Sequence, residues 1–178
     1  DFDFEGLISK KISQEGPALA IGDIDQDGNE DVYIGGAKKQ SGVIYLHKGD
    51  GKLIPLKQPI FEQEENYYED TAAAFFDADN DGDLDLVVGS GGNETSDENI
   101  YRARLYLNDG KGNFSGSKEK LPATFKNISV IRPFDFDADG DLDLFIGSPK
   151  INQAKIAVKP GIALTKTLAL LMPIWRKP

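Results

Sequence analysis

The sequence feature that most constrains the fold is a nine-residue acidic loop that occurs three times. The copies occupy residues 23–31, 77–85 and 135–143, so they begin 54 and 58 residues apart. Each copy has aspartate at positions 1, 3, 5 and 9 and glycine at position 6, and an apolar run follows it. A spacing kept over three copies indicates a repeated structural unit.

The carboxylates of each loop are predicted to bind a divalent cation. Four carboxylates on so short a stretch repel one another, and each close pair costs roughly a few kcal/mol at the effective dielectric of a protein surface. Ca²⁺ removes this conflict because it takes about six to eight oxygen ligands in tolerant geometry, whereas Mg²⁺ requires a nearly ideal octahedron. Glycine at position 6 allows the sharp turn that such a loop needs.

Each loop is predicted to supply its ligands from positions 1, 3, 5, 7 and 9. Position 7 is expected to offer its main-chain oxygen, whichever side chain it carries. The predicted ligands of the three Ca²⁺ sites are Asp23, Asp25, Asp27, Asn29, Asp31, Asp77, Asp79, Asp81, Asp83, Asp85, Asp135, Asp137, Asp139, Asp141 and Asp143.

Two other interpretations of the loops are disfavoured. Three solvated acidic turns are the simplest alternative, but one spacing repeated three times argues against it. An EF-hand shares positions 1, 3, 5 and 6, yet its position 12 should be a bidentate glutamate. Here that position is Ile34, Val88 or Ile146.

The apolar runs beside the loops predict strands. Small or apolar residues precede each loop, and a β-branched or aromatic run that ends in glycine follows it. The following runs are short and nearly uninterrupted, which favours strands buried on both faces. The preceding runs are 18–24, 71–76 and 129–136, and the following runs are 32–36, 86–92 and 144–148.

A hairpin completes each of the first two units. An alternating strand enters a glycine turn within residues 43–56 and again within 104–115. The Asp-Gly pairs in these turns favour tight hairpins, which need positive φ. Each unit is therefore predicted to contain four antiparallel strands, as in one propeller blade. The fold class is predicted to be all-β, since no helical apolar period of useful length occurs in residues 1–143.

These motifs resemble the FG-GAP or VCBS repeats of calcium-stabilised β-propellers. The loop D-x-D-x-D-G-x-x-D, followed by an apolar strand ending in glycine, is the motif that carries the resemblance. It covers residues 17–148, although the FG and GAP sequences are only approximated, by IGD, FFD and GSP. Integrin α-subunit head domains are the best-known members. LYLNDGKGNF is similar to the bacterial VCBS branch, which includes relatives of cartilage acidic protein.

The resemblance implies a partial propeller of three blades with structural Ca²⁺ in its three loops. Family members commonly have six or seven blades, so further blades or self-association are expected to close the propeller. Similar blades occur in many secreted or surface proteins. The resemblance thus implies a secreted, periplasmic or cell-surface location and a role in adhesion or recognition.

The chain is predicted to divide into repeats at residues 1–149 and an atypical basic and apolar tail at 150–178. All 30 acidic residues lie at or before Asp143. The tail has lost acids, repeats and turn signals together, so we interpret it as a non-native or out-of-frame terminus. No transmembrane segment is predicted, because the apolar part of the tail is too short to span a bilayer. The start at Asp1 favours a leader that is absent or already removed.

The predicted function is an extracellular or cell-surface module that binds a protein or a glycan. A net charge of −10 argues against nucleic acid. No enzymatic activity is predicted, since the chain has no cysteine, a single histidine (His47) and no nucleophile-elbow or phosphate-loop motif. The alternative is a fragment of a propeller-scaffold carbohydrate-active enzyme, a lyase or hydrolase, whose active site lies outside this chain.

Two stretches are candidate recognition surfaces. The polar connection 90–100 is longer than its counterpart in the first unit, although a plain solvated loop is the simpler interpretation. Tyr67 and Tyr68 either stack on sugar rings or, as favoured here, pack between blades.

Overall fold

The protein forms three antiparallel sheets that follow one another along the chain. The computed structural model describes residues 17–64, 68–92, 100–117, 121, 127–148 and 155–157. In each sheet the strands pair in sequence order, so each sheet is a simple meander. We call the sheets the first, second and third blade.

Each acidic loop joins the first two strands of its blade. The first blade contains β1 (Leu19–Gly22), β2 (Asp31–Ile34), β3 (Val43–His47) and β4 (Leu53–Leu56). The second contains β5 (Asp70–Phe76), β6 (Asp85–Ser90), β7 (Ala103–Leu107) and β8 (Ser115–Gly116). The third contains β9 (Val130–Phe134), β10 (Asp143–Gly147) and β11 (Lys155–Ala157). The predicted all-β fold of propeller-like blades is confirmed, and the described strands do not close into a barrel.

Strand β11 lies inside the segment 150–178 that the sequence sets apart from the repeats. It pairs antiparallel with β10, with Phe145 opposite Ile156. Its three residues therefore occupy the place of a third strand, which the sequence did not indicate because no glycine turn marks it. The rest of that segment lies outside the described residues.

One short helix, α1 (Pro59–Glu64), lies in the region where the sequence shows no helical apolar period of useful length. Its six residues are too few to give a helical apolar period. Phe61 of this helix is buried and lies edge-on to Tyr33, at 5.9 Å between ring centroids, and to Tyr106, at 5.0 Å. Burying such a side chain contributes about 1.5–3 kcal/mol, so α1 joins the first blade to the second.

Two apolar clusters lie on opposite sides of the second blade. Leu86 and Val88 of β6 face the first blade, and Val87 faces the third. Strand β6 is therefore buried on both faces, as predicted. Strand β2 differs, because no described element covers its outer side and Ile34 is 36% exposed there. Among the described residues, no helix is long and apolar enough to cross a membrane.

The buried carboxylate of Asp70, in the second blade, ties the first and second blades together at the strand ends opposite the acidic loops. The carboxylate of Asp70 accepts hydrogen bonds from the Tyr33 hydroxyl and the Gly36 amide, each at 2.8 Å. It also pairs with the guanidinium of Arg104, and both side chains are almost fully buried. Tyr68 packs against this guanidinium, 4.4 Å from its ring centroid. Tyr67 lies outside the described residues.

Replacing Asp70 by asparagine is expected to lower the free energy of unfolding by about 3–5 kcal/mol, because Arg104 stays buried without its counter-charge. Urea denaturation in calcium-containing buffer measures the change. Asp50→Asn is the matched control: Asp50 pairs with Lys52 at the surface, where both side chains are at least half exposed, so its loss should change the stability little. Similar losses in the two variants would contradict the role given to Asp70.

Candidate metal centres

The three acidic loops share one backbone conformation. Position 4 adopts a left-handed conformation in each loop, with φ of 56°, 62° and 60° at Gln26, Asn80 and Ala138. Position 6 is glycine with φ of 88°, 93° and 95°. The glycine therefore meets a backbone requirement, as predicted. The left-handed position 4 was not predicted, because its residue type differs in every copy.

Carboxylates at positions 1 and 5 hold this conformation by accepting backbone N–H groups of the same loop. The position 1 aspartate accepts from the position 6 glycine, as in Gly28 N to Asp23 Oδ2 at 2.9 Å. The position 5 aspartate accepts from position 7, as in Asn29 N to Asp27 Oδ1 at 2.9 Å. The other two loops repeat both bonds at 3.0–3.1 Å. The aspartates are thus structural acceptors besides being candidate ligands.

The position 9 aspartate connects its loop to the body of the blade. Asp31, Asp85 and Asp143 are at most 2% exposed. In every loop one carboxylate oxygen accepts the N–H of position 2, at 2.8–3.1 Å. In the first two blades the other oxygen accepts an N–H at the end of the third strand, from His47 or Asn108, at 2.8 Å. Sequence reasoning gave position 9 only a ligand role and missed this one.

In each loop three carboxylates come close enough to share one cation. Their nearest oxygens lie within 4.8 Å of one another. Positions 1 and 3 take part in all three groups, joined by position 5 in the first loop and by position 9 in the second and third. The groups are Asp23, Asp25 and Asp27; Asp77, Asp79 and Asp85; and Asp135, Asp137 and Asp143.

Several carboxylate oxygens in these loops are buried without a hydrogen-bond donor. They are Oδ1 of Asp25, Asp77 and Asp83. A buried polar atom without a partner is costly, and a charged one more so. A cation bound among them removes that cost, and a set of oxygen donors alone suits a hard divalent ion. The residues therefore fit a metal ion. Ligation by position 7, by position 9 and by each further predicted residue stays a prediction.

In the second loop, burial and, after it, repulsion between carboxylates raise the pKa of several aspartates. Burial raises the pKa of Asp85 to about 6, with the carboxylates of Asp79 and Asp81 adding to the shift. Burial, followed by the Asp81 carboxylate, also raises the pKa of Asp83 to about 6. The pKa of Asp79 is raised for the same two reasons. A cation in this loop would favour the ionised form of each group.

The first loop is different, because a lysine lies against it. A hydrogen bond from the Asn29 side chain, followed by one from Lys48, lowers the pKa of Asp27. Burial raises the pKa of Asp31 in the same loop.

In the third loop, burial and the nearby Asp139 carboxylate raise the pKa of Asp137.

Side-chain amides link each loop to the next one. Gln26 Nε2, at position 4 of the first loop, donates to the Gly82 carbonyl of the second at 3.2 Å. Asn80 Nδ2, at position 4 of the second, donates to Asp141 Oδ1 of the third. Asn108 Nδ2 from the second hairpin donates to the Ile24 carbonyl at 2.8 Å. The three candidate centres therefore form one hydrogen-bonded row.

The sequence matches one known family. A family model for the FG-GAP-like repeat matches residues 19–88 and 90–146. The first stretch contains the first two acidic loops, and the second contains the third. Together the two stretches cover more than half of the chain.

Substitutions at positions 3 and 9 of the second loop should separate metal binding from scaffolding. Asp79→Asn removes an exposed charge, so we expect stability in chelator to be unchanged or slightly higher and the gain from metal to fall. Asp85→Asn leaves a buried N–H without its acceptor, so we expect a loss of about 1–3 kcal/mol with or without metal. Urea denaturation in chelator and in calcium measures both.

The contrast between these two variants is the test. If Asp85→Asn lost stability only in the presence of metal, position 9 would be a ligand without a structural role of its own. If Asp79→Asn destabilised the protein as much in chelator as in calcium, position 3 would be part of the scaffold.

Proposed function

The chain belongs to the family of FG-GAP-like repeats, and on that premise we propose that it is a calcium-binding β-propeller module that recognises a protein or a glycan outside the cell. In this proposal Ca²⁺ is structural. The observation that carries it is the common geometry of the three loops, in which three carboxylates converge within each loop. In the first two loops some of the buried carboxylate oxygens also have no donor.

Calcium is favoured over magnesium by the kind of ligand set. Each loop offers carboxylate oxygens from one short stretch of chain, and positions 1 and 3 contribute in every loop. Ca²⁺ accepts such irregular oxygen shells at variable coordination number, whereas Mg²⁺ keeps its water and demands regular geometry. Loops of this kind also work at weak affinity, about 10⁻⁴–10⁻³ M, which suits a calcium-rich compartment. We therefore propose a secreted, periplasmic or cell-surface location.

We propose binding and not catalysis as the role of the module. The loop aspartates serve as backbone acceptors and candidate ligands, so they hold strands in place. The single histidine, His47, contributes its backbone N–H to Asp31. The connection 90–100 remains a proposed recognition surface, and residues 93–99 lie outside the described part.

The outer side of the first blade supports a further proposal about how the propeller is completed. We call the apolar residues on this side the leading face. They are the counterparts, in the repeat, of the second-blade residues that pack on the first blade. In the second blade those positions are Ala73, Phe75, Leu86 and Val88. In the first blade they are Leu19, Ile21, Val32 and Ile34.

The leading face has a matching surface at the other end of the chain. Leu19 and Ile21 of the leading face are 57% and 53% exposed. On the third blade, Phe134 and the half-buried Phe145 lie on the side turned away from the second blade. Because these two sides repeat the contact between the first and second blades, we propose that the leading face packs on the third blade of a second copy, head to tail.

Calcium removal is expected to lower the thermal midpoint, because an ion that binds only the folded state stabilises it by mass action. Each site adds about 1.4 kcal/mol at a free concentration of ten times its Kd. A melting scan in millimolar calcium chloride, in the same concentration of magnesium chloride and in chelator measures this. We expect the order calcium, magnesium, chelator from most to least stable. A midpoint unchanged by chelator would exclude structural metal.

Self-association is expected to depend on the leading face. Ile21→Asp should convert associated chains to monomers in sedimentation velocity, because it buries a charge in the contact. Ile54→Asp is the matched control: Ile54 is 50% exposed but lies on the opposite side of the first blade, since it pairs with Leu46. A wild-type chain that stays monomeric at all concentrations, or equal effects of the two variants, would refute the contact.

A further inference from the structure

The first acidic loop carries a cation of its own. The Nζ of Lys48 forms ion pairs with Oδ2 of Asp25 and with Oδ2 of Asp27, the latter at 3.1 Å. These aspartates are positions 3 and 5 of the loop, and both belong to its candidate metal group. Lys48 follows β3, whose last residue, His47, is fixed to the loop through Asp31. The ammonium therefore reaches the loop from a well-held strand end.

The second blade has an aspartate where the first has this lysine. Strand pairing places Val32 opposite Tyr45 and Leu86 opposite Tyr106, so Lys48 corresponds to Asp109. The carboxylate of Asp109 turns to its own hairpin instead. Its three bonds are from Lys111 N at 3.0 Å, Asn113 N at 3.2 Å and Asn113 Nδ2 at 2.9 Å.

The two loops consequently differ in local charge. Within the part of the chain that the structure describes, no lysine or arginine forms an ion pair with an aspartate of the second loop. Both loops have aspartate at positions 1, 3, 5 and 9, but the first has Asn29 at position 7, where the second has Asp83. The first loop also has the Lys48 ammonium on two of its aspartates. A divalent ion and the ammonium both require Asp25, and like charges this close repel each other.

We propose that Lys48 is an internal competitor for the cation of the first loop, so that the first site binds Ca²⁺ more weakly than the second. This inference rests on the proposed calcium function. Binding moves the ammonium away from Asp25 and Asp27, and its side chain, 40% exposed, has solvent to move into. Without calcium, the ammonium partly neutralises the loop, so the first blade depends less on metal than the second.

The amides of the position 6 glycines provide one reporter for each site. Gly28 N–H bonds to Asp23 and Gly82 N–H to Asp77, so each lies against a candidate ligand. Calcium titration of the chelated, full chain is followed through these two amides by ¹⁵N-correlated NMR. In the wild type, the Gly82 midpoint is expected at a lower calcium concentration than the Gly28 midpoint.

The decisive variant is Lys48→Met, which keeps the aliphatic stem and removes the charge. It is expected to lower the calcium midpoint of Gly28 by roughly three- to tenfold and to leave that of Gly82 unchanged. Lys48→Arg should keep the wild-type midpoint. Lys52→Met is the matched control, since it removes the same charge from the same hairpin but its pair is with Asp50. It should shift neither amide.

Two results would overturn the competition while leaving calcium binding intact. One is a Gly28 midpoint that Lys48→Met does not lower. The other is an equal shift of the Gly28 midpoint with Lys52→Met, because the effect would then follow from net charge alone. If neither Gly28 nor Gly82 responded to calcium in the wild type, the proposed calcium function would itself fail.

Discussion

The fold depends on where the negative charge of each acidic loop is placed. Four carboxylates within nine residues would destabilise an isolated chain segment. Here the backbone turns its N–H groups toward them, so that positions 1, 5 and 9 all accept hydrogen bonds within the blade. The most buried of them, position 9, joins its loop to the third strand in the first two blades. Oδ1 of Asp25, at position 3, and Oδ1 of Asp77, at position 1, are buried without a donor, so these oxygens are the best placed for a cation.

Neighbouring blades are held together at both strand ends by polar groups and between them by apolar packing. At the loop end, the amides of Gln26 and Asn108 cross from one blade to the other. At the opposite end, Asp70 of the second blade accepts hydrogen bonds from Tyr33 and Gly36 of the first. Between these ends lie β6 and the ring of Phe61. A metal that orders a loop would therefore also order the contact between two blades.

The local repeat could be predicted from the sequence because its signals are short in range. The spacing of aspartate and glycine predicts the turn, and the glycine-terminated apolar runs predict the strands on both sides of it. The features that were missed depend on contacts distant in sequence. Helix α1 is held by rings from two blades, and β11 is defined by its pairing with β10. Asp70 meets Tyr33 of the first blade only after the two blades pack. The hydrogen bond from the third strand to the position 9 aspartate could not be predicted, because it depends on how that strand pairs. The contact of Lys48 with Asp25 likewise depends on the strand register, and no sequence motif indicates it.

The central claim is that each acidic loop holds one calcium ion that stabilises the join between its strands. A crystal structure of the chain grown with calcium, with anomalous difference density, tests it most directly. The account predicts one anomalous peak in each loop, about 2.3–2.6 Å from carboxylate oxygens of positions 1 and 3. Ordered loops without anomalous density, or calcium found only away from them, would contradict it.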